Sequence, residues 1–244
     1  MIDTIIPFCS YDYKFIDATI DGIRDVSKNI VVTYFDYTFD GKPENLELIN
    51  QVKNRNTDCK FIPLDYDFSA NARWHHNQTR WIGLQFCKSD YVLFLDSDEV
   101  FEKKKIKQWL DCNINTLKDV TTFANYWYFR SPKYRAKVVE DSPVMIKKDI
   151  ASYDYIFDDL ERASFKYAGD FSKSLQVMGL DGLPMCHHYS WALSKEEMLR
   201  KVSSWGHKGE KNWEQLINEE FSREFNGKDF IHEYEYEICE PLIK

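Results

Sequence analysis

The chain has 244 residues, of which 43% are hydrophobic and 30% charged. That is enough for one α/β domain with a sizeable core, and it excludes a disordered chain or a fibrous repeat. The formal net charge of −8 argues against a general nucleic-acid binder, which needs clustered Lys and Arg to neutralise phosphates. No stretch approaches the roughly 20 apolar residues of a membrane-spanning helix. The opening MIDTIIPFCS is too short for a secretory leader and has no basic segment before it. A soluble cytoplasmic protein is expected, with any membrane contact peripheral. The six cysteines, Cys9, Cys59, Cys87, Cys112, Cys186 and Cys239, are scattered without C-x-x-C or Cys/His zinc spacing, as befits free thiols in a reducing compartment.

Taken in chain order, residues 4–8 (TIIPF) read as a short buried strand ending in a turn. Ile16, Ile20, Ile23 and Val26 then recur at near-helical spacing. Residues 30–35 (IVVTYF) form a β-branched and aromatic strand that stops at Asp36. A loop through Gly41 and Pro43 leads to a second helix carrying Leu48, Ile49 and Val52. Residues 59–64 (CKFIPL) are a third strand, residues 70–86 a long helix, and residues 91–95 (YVLFL) a strand apolar on both faces. This alternation implies a mostly parallel sheet with helices on both sides. The basic run Lys103, Lys104, Lys105 and Lys107 belongs to the exposed face of a helix whose apolar side is Ile106, Trp109 and Leu110.

The second half reads differently. Residues 120–130 and 137–147 are strands that need not be parallel, residues 149–183 are rich in loops, and residues 185–191 form another strand. Ser194 and Glu197 have the spacing of a capping box. The helix they open carries Met198, Val202 and Trp205 and stops near Gly206, and a final helix spans about residues 212–223. One domain over residues 1–244 is expected, with a nucleotide-binding half to about residue 101 and an acceptor-binding half after it.

The chemistry concentrates at Asp96-Ser97-Asp98-Glu99, directly after the buried strand at 91–95. Ligands of open α/β sheets bind at the carboxyl ends of strands. Carboxylates crowded there repel one another unless a cation or hydrogen-bond donors compensate. Mn²⁺ and Mg²⁺ prefer oxygen ligands and are shared between carboxylates and substrate phosphates.

With this motif in place, residues 4–101 resemble the glycosyltransferases of the GT-A fold, especially the large inverting family with D-x-D at this position. The resemblance implies a Rossmann-related, mostly parallel central sheet flanked by helices, with a smaller mixed, partly antiparallel sheet on the acceptor side. It implies transfer of a sugar from a nucleotide-diphosphate sugar, UDP-linked in preference to GDP-linked, to a saccharide or glycoconjugate acceptor, with Mn²⁺ or Mg²⁺ as cofactor. Asp98 would hold the metal that bridges the diphosphate, and Asp96 the ribose or the metal, with Ser97 between them. Pro7 would border the nucleobase, Asp36 would accept from base or ribose, and Arg80 would face the nucleotide. One of His187 and His188, adjacent on a strand and therefore on opposite faces, would add a metal ligand, with His188 favoured.

An inverting reaction needs a carboxylate base. Asp159 and Glu161 fit the family's order best, and Asp158 and Asp170 are also candidates. Either Tyr126/Tyr128 or Trp127/Phe129 would face the acceptor, with Trp191 a similar candidate. His75 and His76 are assigned mainly to structure or to the acceptor side. Arg200, Lys201, His207 and Lys208 would meet the leaving diphosphate, and residues 203–208 would cover the donor as a lid. Three other readings are weighed. A haloacid-dehalogenase-like phosphatase would use Asp96 as nucleophile, but Glu99 stands where that family has Gly. A sugar nucleotidyltransferase lacks its Gly-rich, basic loop after Ile6. A non-catalytic sugar-binding protein on the same scaffold completes the set.

Overall fold

A computed structural model describes residues 1–168, 174–205 and 209–243. The first half is β1 (Ile2–Pro7), α1 (Tyr13–Ile23), β2 (Ser27–Phe35), α2 (Leu46–Arg55), β3 (Lys60–Leu64), α3 (Ala72–Gln85) and β4 (Tyr91–Phe94). These strands lie parallel in the order β3-β2-β1-β4. Alternation along each strand divides the core. Ile6, Val32 and Leu93 pack with Ile16, Ile20 and Ile49 on one face, whereas Ile5, Val31 and Phe94 pack with Leu84 on the other. Both faces of β1 and β4 are therefore apolar, as a central parallel strand requires. Gly83 lets α3 sit close on β1, because a Cβ there would stand 2.5 Å from Ile5 Cγ2.

Asp3 pins the amino ends of these strands. Its buried carboxylate accepts from Ser89 N at 2.8 Å, Ser89 Oγ at 2.9 Å and Asn29 Nδ2 at 2.8 Å. Asn45 and Asn71 cap α2 and α3 by accepting from Leu48 N and Trp74 N.

The second half is β5 (Glu99–Phe101), α4 (Lys103–Asn113), β6 (Val120–Phe129), β7 (Ser131–Lys147), α5 (Tyr153–Ile156), a 3₁₀ stretch at Glu161–Tyr167, β8 (Ser174–Val177), β9 (Cys186–Trp191), α6 (Lys195–Ser204), α7 (Trp213–Glu220) and β10 (Tyr236–Ile238). The mixed strands continue the parallel sheet instead of standing apart from it: ten strands run β3-β2-β1-β4-β7-β6-β9-β5, with β10 on β7 and β8 on β6. β7 joins the two halves by pairing antiparallel with β4. The capping box at Ser194 and Glu197 is formed. Among the described residues no helix is long and apolar enough to cross a membrane.

Two elements have no hydropathy signature. β5 has only three residues, and it forms because it pairs with β9, Glu99 opposite His188 and Phe101 opposite Cys186. β10 owes its strand form to β7 in the same way.

Candidate functional site

The turn between β4 and β5 carries the acidic motif and is held on every side. Glu99 N donates to Asp96 O at 3.1 Å, and Asp96 N donates to Glu99 Oε2 at 2.7 Å. Thr19 Oγ1 of α1 donates to Ser97 O at 2.8 Å, and Tyr189 N of β9 donates to Asp98 O at 2.9 Å. Gly22 brings α1 against β5 so closely that a Cβ would stand 2.5 Å from Phe101 O. The carboxylates are thus fixed by the backbone before any ligand binds.

Their charges are met by cations from distant segments. Arg162 donates to Asp96 Oδ2 at 2.8 Å and to Glu99 at 2.7 and 2.9 Å. Arg80, whose side chain is 2% exposed, reaches Asp96 Oδ1 at 3.1 Å and Glu161 Oε2 at 3.1 Å. Burial opposes the charge on Asp96, but Arg162 and Arg80 outweigh it and hold the carboxyl well below its usual range. Glu161 has φ 50°, a left-handed conformation that a non-glycine residue keeps only where its surroundings over-determine it. Here Arg80 and His76 fasten Glu161 while Arg162, the next residue, is drawn onto Asp96 and Glu99. Glu161 is also lowered, burial being outweighed by His76 and Arg80. His76 is raised, since Asp96 and Glu161 outweigh burial and Arg80.

Asp98 has a separate set of partners. Lys201 Nζ of α6 lies 2.8 Å from Asp98 Oδ2 and also donates to Ser190 O and Oγ, at 3.0 and 3.1 Å. His188 Nε2 stands 3.4 Å from Asp98 Oδ1. Against burial, Lys201 and His188 lower the Asp98 carboxyl. Asp12, at the start of α1, accepts from Ser97 Oγ at 2.8 Å through Oδ2. Its other oxygen is buried with no hydrogen-bond partner among the described residues and lies 3.9 Å from Lys201 Nζ. Burial lifts Asp12 to about 6, with Asp98 adding to the rise and Lys201 opposing it.

These groups line one cavity of about 650 Å³. From the first half the lining takes Pro7, Tyr11, Tyr37, Phe39 and Glu44. From the second it takes Trp127, Asp141, Ser142, Trp191 and His232. Asp96, Ser97 and Asp98 lie on the wall, with Arg80, Arg162, His188 and Lys201.

The expected residues separate accordingly. Pro7, Arg80, Asp96, Ser97, Asp98 and His188 come together, as does Glu161, although Glu161 is tied to two cationic partners. Asp159 sits on the rim with its side chain 95% exposed, 3.4 Å from Arg73. Asp36 is exposed and outside the lining, where Tyr37 and Thr38 stand instead. His187 faces the opposite side of β9, with Nδ1 2.6 Å from Tyr128 Oη and Nε2 3.3 Å from Glu102. Of the aromatic pairs on β6, Trp127 reaches the cavity, whereas Phe129 is core and Tyr128 packs on Tyr189. His75 is buried and stacked on Tyr66 at 4.1 Å, whereas His76 belongs to the site. Asp170, His207 and Lys208 lie outside the described residues. Asp12, Asp141 and Arg162 carry no sequence signal of their own. Asp12 stands at a helix start, Asp141 in a polar strand, and Arg162 in a loop-rich stretch.

Asp98 offers the carboxylate oxygens that Mn²⁺ or Mg²⁺ prefers, and the His188 imidazole stands beside it as a nitrogen donor. The orphaned Asp12 oxygen is a further acceptor beside them. Asp96 fits such a set poorly, because guanidinium groups engage both its oxygens. Among the described residues no group of three or more His, Cys, Asp or Glu side chains is arranged to hold a metal by itself, so substrate phosphate oxygens would have to complete the shell.

No protein-family model and no curated protein matches the sequence. Solved structures match in fold. The structure of S. aureus TarS 1-349 in complex with UDP is 13% identical with TM-score 0.50, over 91% of this chain and 72% of that one. The inositol-1-phosphate CTP transferase from T. maritima is 7% identical with TM-score 0.50, over 78% of this chain and 90% of that one. For a second TarS 1-349 structure the values are 13% and 0.49, over 83% of this chain. This chain spans 64% of the length of that last structure. At such identities the likeness establishes the fold alone, an α/β architecture shared with these solved structures.

Proposed function

We propose that the protein is a glycosyltransferase that moves a sugar from a nucleotide-diphosphate sugar, UDP-linked, to a saccharide or glycoconjugate acceptor with inversion at the anomeric carbon. The observation that carries this reading is the cavity itself. Its lining joins aromatic side chains of the first half, fixed carboxylates and Lys201, and the tryptophans of the other half. A flat base suits the aromatic side chains of the first half, a diphosphate suits Lys201 and a cation held at the carboxylates, and a sugar ring suits the tryptophans of the second half.

In this reading Tyr11, Tyr37 and Phe39 take the base beside Pro7. Asp98 and His188 hold Mn²⁺ or Mg²⁺, which supplies Lewis-acid neutralisation of the diphosphate when bound. Lys201 follows the charge that develops on the leaving oxygen. Arg80 and Arg162 keep Asp96 ionised and in place, so that it accepts from a ribose or sugar hydroxyl.

A screen of UDP- and GDP-sugars for donor hydrolysis, with and without Mn²⁺, tests the proposal. UDP release from a UDP-sugar is expected, together with Mn²⁺-dependent binding of UDP that Asp98→Ala abolishes while the fold survives. Unchanged UDP affinity in Asp98→Ala would remove the metal assignment. Pyrophosphate release from CTP or UTP with a sugar phosphate would replace transfer by nucleotidyl transfer. Turnover of p-nitrophenyl phosphate lost in Asp96→Asn would favour a phosphatase, a role that the pairing of both Asp96 oxygens with guanidinium groups argues against.

A further inference from the structure

Sugar transfer with inversion needs a base beside the acceptor hydroxyl, and most of the cavity's carboxylates are committed elsewhere. Asp96, Asp98 and Glu161 each face two or more cationic or histidine side chains. Glu44 accepts from Ser10 N and Asn45 N at the nucleobase end. Asp12 lies under Ser97 on the donor side. Asp159 points into solvent from the rim.

Asp141 is placed differently. It lies on β7 in the second half, and the sheet is bent to present it. Between Thr122 and Ala124 of β6, the β7 register passes from Val144 to Asp141, so that β7 holds one residue more than its partner. Such a bulge breaks the strict alternation of side chains and re-aims them, as it commonly does next to active sites. Asp141 and its neighbour Ser142 consequently both line the cavity. Ser142 Oγ lies 3.2 Å from His188 Nδ1, which fixes this corner against the Asp98 side of the site. One Asp141 oxygen, Oδ2, takes Lys166 Nζ at 2.7 Å. No described donor reaches Oδ1. Trp127 also lines the cavity and meets the same His188, flanked edge-on by it at 4.8 Å and by His232 at 5.2 Å.

We propose that Asp141 is the catalytic base and that the acceptor is a sugar whose ring lies towards Trp127. This rests on the transferase reading above. As the acceptor oxygen forms its bond to the anomeric carbon, its proton passes to Asp141 Oδ1. The bond from that carbon to the diphosphate breaks, and the electron pair leaves on the diphosphate oxygen beside Lys201. Lys166 is a positioning residue that holds Oδ2 and so turns Oδ1 to the cavity.

Donor hydrolysis provides the test, because water can stand in for the acceptor. Wild type, Asp141→Asn, Asp141→Glu and Lys166→Met would be compared for release of UDP from the UDP-sugar the wild type hydrolyses fastest, and for UDP affinity by calorimetry. Asp141→Asn is expected to lose about 10²–10⁴-fold in kcat, with UDP affinity and KM for the donor held within about twofold. Asp141→Glu should recover part of that loss, and Lys166→Met should lose far less than Asp141→Asn. A turnover by Asp141→Asn near that of wild type would overturn the assignment. So would equal losses in Asp141→Asn and Lys166→Met, which would reduce the pair to a structural ion pair. Loss of UDP affinity in Asp141→Asn would move the residue to the donor site. Absence of wild-type turnover with every nucleotide sugar would instead remove the transferase reading, whatever the variants did.

Discussion

The two halves of the sheet build the same cavity in different ways. In the first half the functional groups follow directly from the chain: a buried strand ends, and its next residues form the wall. Pro7 ends β1, and Asp96 to Asp98 follow β4. In the second half they come from elements far apart in sequence. Arg162 lies in a 3₁₀ stretch, His188 in β9, Lys201 in α6 and Asp141 at a bulge in β7. The first half supplies negative charge on a rigid turn, and the second supplies most of the positive charge that makes that turn tolerable. The contrast predicts that removing a second-half cation harms the whole fold more than trimming a first-half contact.

The largest expected effect is that of Arg162→Met. Arg162 is buried and joins Asp96 to the fully buried Glu99. Without it, two carboxylates remain adjacent, with Arg80 still on Asp96 alone. Breaking a buried pair by removing one partner costs about 3–5 kcal/mol. Urea unfolding should register a loss of that size with little change in slope. A loss below about 1 kcal/mol would mean that water or local rearrangement solvates the motif, and the interdependence of the halves would fail.

Next comes Gly22→Ala, a change in the first half. The added Cβ would stand 2.5 Å from the backbone oxygen of Phe101, and backbone cannot step aside as a side-chain end can. Overpacking of this kind costs about 1–3 kcal/mol. Because α1 also holds Ser97 O through Thr19, UDP affinity should fall together with stability. A fall in stability alone would show that the turn is held sufficiently by β9.

What was legible in the sequence follows the same division. Periodicity located β1 to β4 and their helices within a few residues, because a strand apolar on both faces and a striped helix are local facts. Asp96, Ser97 and Asp98 could be placed in the site because topology alone puts a strand's carboxyl end there. The pairing of β5 with β9 could not be read, since three residues carry no period. That pairing decides which histidine faces the motif. The bulge that admits Asp141 is likewise a property of two strands together. Order in the chain points to Asp159 and Glu161 as bases, but order says nothing of partners. Glu161 is clasped by Arg80 and His76, and Asp159 points outwards.

The adjacent histidines turn this into a smaller, sharper test. His188→Ala should weaken Mn²⁺-dependent UDP binding by about tenfold or more and leave stability nearly unchanged. His187→Ala should do the reverse. It strips the buried Tyr128 hydroxyl of its partner, at about 1–3 kcal/mol, with UDP binding intact. If both variants lost UDP affinity equally, the two faces of β9 would not be functionally separate, and the metal would have to be sought elsewhere.

The smallest expected effect is at Ser194, where the second half does have a local signature. Ser194 Oγ accepts from Glu197 N, and the Glu197 carboxylate accepts from Ser194 N, closing a capping box on α6. Ser194→Ala should cost about 1 kcal/mol, measured by thermal or urea unfolding. Lys201 lies almost two turns along the same helix and is held at its far end by Asp98 and by both oxygens of Ser190. Fraying at the first turn should therefore leave Lys201 in place and UDP affinity within about twofold. If affinity instead fell in step with stability, Lys201 would depend on the helix to reach Asp98, and the cation would be a product of α6 docking, with the acidic turn only its recipient.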